Sequence, residues 1–88
     1  MIITASDLAA EALFVSDLQP SQQPSNDEVR AAVTAVILRY GSEGCAACVA
    51  AEYGDHPDTA ARRMAWAREL LPQAFPAANI PHPRPLAS

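Results

Sequence analysis

Val29, Val33, Val36, Ile37 and Tyr40 recur at the spacing that places side chains on one face of an α-helix, and they follow directly on Ser25 and Glu28. This stripe constrains the fold most. A 3.6-residue repeat of apolar side chains needs a second element to cover it and does not suit a strand. Ser25-x-x-Glu28 supplies the start as a capping box, in which the serine oxygen takes the amide three residues on and the glutamate reaches back to the serine amide. Gly41 is expected to stop the helix by taking the left-handed conformation that other residues avoid. Leu38 falls on the side opposite the stripe.

Three more helices follow from the same reasoning. The first begins near Thr4 or Ser6, with Thr4 and Asp7 as a capping-box-like pair, and is expected to end by Asp17 or Leu18. Its Leu8, Leu13, Phe14, Val15 and Leu18 spread around most of the wheel, so it needs more than one neighbour. Residues 19–25, polar with two prolines, form a linker. A third helix is expected from Gly44 to Tyr53, with Cys45, Cys48, Val49 and Glu52 on a repeating face and Gly54 as its stop. The fourth starts at Pro57, since proline suits a first helical position where the missing amide would be unpaired anyway. Ala60, Met64, Ala67 and Leu71 form its inner stripe, and Pro72 and Pro76 close it. The expected architecture is therefore all-α: a compact four-helix domain over residues 1–76, then a proline-rich flexible tail over 77–88.

Eighty-eight residues allow one domain. A chain this short hides only roughly 60–65% of its unfolded surface. Half its residues are apolar, and the many alanines among them add little buried volume, which makes self-association or a partner chain the natural remedy. The net charge is −4 and every basic residue is arginine. Residues 1–54 carry −5 and residues 55–88 carry +1, so a phosphate backbone is repelled by most of the molecule. No amino-terminal signal is apparent, and the longest apolar run is far below the ~20 residues needed to span a bilayer. A cytoplasmic protein with no membrane partner is expected.

The stretch from Val49 to Ala67 pairs V-A-x-x-x-G with P-x-T-x-x-R-x-M. Close crossing of two helices favours alanine, a tight turn favours glycine, and a helix start favours proline and threonine. Over about residues 45–67 this pattern resembles the helix-turn-helix of bacterial regulators, with Ala50, Gly54, Thr59, Arg62 and Met64 at matching positions. The resemblance implies a steep crossing at Ala50 and a second helix that reads DNA, with Thr59, Arg62, Arg63 and Arg68 as possible contacts. Asp55 departs from the pattern, which has an apolar residue after the turn glycine. Asp58 adds a second acid at the end where bases are normally met. The chain as a whole is similar to short actinobacterial proteins of uncharacterised activity, and this implies no activity for it.

Cys45 and Cys48 have the C-x-x-C spacing of thiol redox sites and of half a zinc site, yet no strand scaffold or convergent histidine accompanies them. They are expected to be core residues, with no metal or cofactor bound. His56 lies beside Asp55 and Glu52 without a nucleophile or a phosphate loop to serve, so no catalytic residue is assigned and no enzyme is expected. Leu13, Phe14, Leu38 and Trp66 are the candidate contact surface, because too many apolar positions face away from one small core. The leading expectation is a protein-interaction module that binds itself or another protein, with DNA binding as the alternative.

Overall fold

The computed structural model describes residues 5–76, all helix and connection, with no strand among the described residues. Three α-helices follow in order: α1 over Ala5–Val15, α2 over Asn26–Asp55 and α3 over Pro57–Ala74. A short 3-10 turn, Pro20–Gln22, lies in the connection between α1 and α2. Each helix packs on the other two around a core of Leu13, Phe14, Val29, Val33, Cys45, Met64 and Leu71. Ala10, Ala12, Ala60, Ala67 and Ala74 are also buried and let the helices approach closely. No helix among the described residues is long and apolar enough to cross a membrane.

The expected count of four becomes three because α2 takes in two of the expected helices. Gly41 has φ 68° and ψ 177°, a backbone state open in practice only to glycine, and helical structure resumes after it. Open space surrounds the position where a Gly41 side chain would lie. At Gly44 the opposite holds: an added Cβ would come within 2.9 Å of the Tyr40 Cβ. Two glycines three apart thus let α2 change direction while Tyr40 stays close to the next turn.

Gly54 does not make the break before α3. The helix runs through it to Asp55, and the residue that leaves helical geometry is His56, at φ −140° and ψ 67°. His56 precedes Pro57, whose ring disfavours the helical region for the residue before it. This steric effect outweighs the permissive glycine two residues earlier. Pro57 occupies the first turn of α3 as expected. Pro72 does not close α3, which continues to Ala74. In the last turn proline forfeits little more than its own bond to the preceding turn.

Helix α1 ends at Val15, short of the expected Asp17 or Leu18. The Ser16 hydroxyl donates to the Leu13 carbonyl at 2.7 Å, and the Leu18 amide donates back to that hydroxyl at 3.3 Å. The Ser25–Glu28 box forms as expected, with amide-to-side-chain distances of 3.1 and 2.8 Å. The inner stripe of α3 is buried at all four expected positions, as are Val29 and Val33 on α2, whereas Val36 and Ile37 are half-buried and Tyr40 is exposed. Ala50, expected at a helix crossing, is exposed. Thr4 and the expected tail 77–88 lie outside the described residues.

Candidate functional site

The groove of interest lies where the end of α1, the second half of α2 and the start of α3 meet. Its volume is about 420 Å3, within the range of small binding clefts. Phe14 and Val15 come from α1, Tyr40, Cys48 and Glu52 from α2, and Thr59 and Arg63 from α3.

Arg63 organises this region. Its Nε donates to the Phe14 carbonyl at 2.7 Å, and its Nη2 donates to the carbonyls of Ser16 and Leu18, each at 2.9 Å. These oxygens belong to the last turn of α1 and the chain just beyond it, the negative end of the helix dipole, and α1 has no basic residue of its own there. A guanidinium with its donors in a fixed plane can meet several such oxygens together. Its carbon lies 4.9 Å from the Trp66 ring centroid and 5.9 Å from that of Phe14. Phe14 in turn stacks on Tyr53 at 6.1 Å with the planes 13° apart. Trp66, Arg63, Phe14 and Tyr53 thereby link all three helices. Burial lowers the Arg63 pKa below the ordinary guanidinium value, in keeping with its enclosed position.

Arg30 repeats the device at another helix end. It donates to the Ala74 carbonyl at the close of α3, 2.8 Å away, and pairs with Asp27.

The other expected DNA contacts are placed differently. Arg68 pairs with Asp7 at 3.6 Å, with both side chains partly exposed, and Thr59 lines the groove. Arg62 is exposed and has no ion pair among the described residues. Of the four expected contact residues, the structure therefore turns Arg63 inward and commits it to backbone oxygens. Sequence reasoning missed this role because the partners lie 45 to 49 residues away, beyond any local spacing.

The four apolar candidates also separate. Leu13 is fully buried and Phe14 nearly so, both in the chain's own core, and Phe14 also lines the groove. The wide apolar arc of α1 is covered from two sides, by α2 and α3. Trp66 is half-buried and packs against the core. Leu38 is 82% exposed, on the side away from the stripe as expected.

The two cysteines are free thiols of opposite kinds, Cys45 fully buried and Cys48 exposed on the groove. Burial, then the Glu11 carboxylate, then Cys48 hold the Cys45 thiol above its ordinary value. One Glu11 carboxylate oxygen is enclosed without a hydrogen-bond partner. Among the described residues no three His, Cys, Asp or Glu side chains converge as a metal site would require. His56 is exposed at the break between α2 and α3, and its amide donates to the Glu52 carbonyl at 2.7 Å. No protein family, curated protein or solved structure matches this chain.

Proposed function

We propose that this chain is a small cytoplasmic protein-interaction module, not an enzyme, that self-associates or serves as an accessory to a larger partner through the face of α2 bearing Leu38. The observation carrying this reading is Leu38 itself, 82% exposed and the most exposed large apolar side chain among the described residues. Tyr40, 45% exposed, lies two residues on, beside the break at Gly41. Covering a leucine is worth about 1.5–3 kcal/mol, a large share of the margin of a domain whose core leans on alanine. In this reading the two halves of α2 act as separate packing segments, so the domain behaves as the expected four-helix unit.

The alternative, a regulator with a helix-turn-helix that places α3 in DNA, draws its support from exposed Arg62 and Thr59. It is the weaker reading, because Arg63 and Arg68 already have partners and Asp55 and Asp58 lie exposed at the start of α3.

Sedimentation of the wild type and of Leu38→Asp at roughly tens of micromolar tests the leading reading. A wild-type dimer that becomes monomeric in the variant, with helix content kept, is expected. A wild-type monomer would sink self-association. Salt-sensitive binding to random duplex, abolished by Arg62→Ala, would favour the alternative.

A further inference from the structure

We propose that Cys45 and Cys48 form a reversible dithiol switch, in which Cys48 reacts first with a small disulfide such as glutathione disulfide and Cys45 then closes an intramolecular bond. The inference goes beyond the interaction reading and holds whether or not the chain self-associates.

The two thiols stand three residues apart on α2, a spacing at which side chains of one helix are neighbours. They differ in access. Cys48 is exposed on the groove, which gives a small disulfide room to approach, and Cys45 is fully buried in the core. Burial raises the Cys45 pKa, and the Glu11 carboxylate and the Cys48 sulfur lie near enough to add to it. Cys45 is therefore held as the thiol and closed to a dissolved oxidant, which leaves Cys48 as the point of entry.

Two exchanges complete the bond. The Cys48 sulfur attacks glutathione disulfide, forming a mixed disulfide and releasing one glutathione. The Cys45 sulfur then attacks the Cys48 sulfur and releases the second. Each cysteine proton ends on a departing glutathione, and the two electrons lost by the pair are gained by the small disulfide. The second exchange needs no solvent access to Cys45, because its target sulfur is on the next turn of the same helix. Helical spacing leaves the two Cβ atoms about 5–6 Å apart, against about 3.5–4.5 Å in a disulfide, so the turn must tighten. Cys45 lies four residues past the break at Gly41, so the tightening falls in the second half of α2 alone. Strain of this kind makes a disulfide easy to reduce, which suits a switch better than a staple.

The test treats the reduced full chain with excess glutathione disulfide, quenches it in acid and reads intact and peptide masses. Wild type should end without an adduct, lighter by two hydrogens, with Cys45 joined to Cys48 in one chain. Excess reduced glutathione should return it to the dithiol. Cys45→Ala should stop at a stable glutathione adduct on Cys48, and Cys48→Ala should react at least about tenfold more slowly than wild type. A short pulse of iodoacetamide on the native wild type gives the order of access without any substitution in the core. It should label Cys48 at least about tenfold over Cys45, and the two alike in denaturant. A wild type that keeps its adduct, or that links two chains, would overturn the proposal. Equal labelling of the two thiols in the native chain would sink the order of the steps, and a bond that resists reduced glutathione would make it a staple.

Discussion

The end of α1 and the middle of α2 both need the chain to leave regular helical geometry, and they do it by opposite means. At the end of α1 the loose carbonyls are collected by Arg63, which arrives from α3. In the middle of α2 nothing arrives. Gly41 turns the chain by its own backbone freedom, with open space where a side chain would be. One site is held by tertiary contact and the other by local conformation. Damage at the first should spread through the core, whereas damage at the second should stay near the bend.

The largest test of that contrast is Arg63→Ala. It strips donors from four carbonyls, those of Leu13, Phe14, Ser16 and Leu18, and removes the cation between Trp66 and Phe14, and a loss of about 2–4 kcal/mol in denaturant unfolding is expected. Arg62→Ala, one residue away, should stay within about 0.5 kcal/mol. Equal losses in the two variants would mean that the α1 end does not depend on α3. Gly41→Ala comes next. Forcing a side chain into that backbone state should cost about 1–3 kcal/mol, while Trp66 fluorescence in the folded variant stays as in the wild type. A changed Trp66 signal would show the two sites to be coupled.

The smallest expected effect concerns the second half of α2, which places Cys45 under α1 beside Glu11. The folded chain holds the Cys45 proton more tightly than the unfolded chain, whose thiol ionises near 9.0. The contribution of this group is therefore complete below that pH and is lost as pH rises through the raised folded value. Unfolding free energy should decline above about pH 9.0, and Cys45→Ala should remove that part of the slope. In the native protein a thiol reagent should modify Cys48 quickly and Cys45 only after unfolding.

The same contrast explains what the sequence made legible. The Ser25–Glu28 box, the Pro57 start, the α3 stripe and the need for glycine at position 41 are all settled within a few residues, and local spacing exposed them. Gly54 misled because two local signals competed, and the proline constraint on His56 prevailed. Arg62 and Arg63 are the clearest limit. They share a residue type and adjoin in sequence, yet one faces solvent and the other completes a helix 49 residues upstream. Leu13 and Leu38 diverge for the same reason: periodicity says which way a side chain points on its own helix, and only the neighbours decide whether something covers it.

The reach of Arg63 also sets a timetable for synthesis. The Phe14 carbonyl meets its donor 49 residues downstream. At the usual elongation rate of about 5–20 residues per second, that interval lasts roughly 2–10 s, before counting the chain still inside the ribosome. Throughout it, Leu13 and Phe14 have no α3 to lie under. Of the three helices, the first made is the last to be completed, and the side of α1 that faces α3 stays uncovered until α3 emerges.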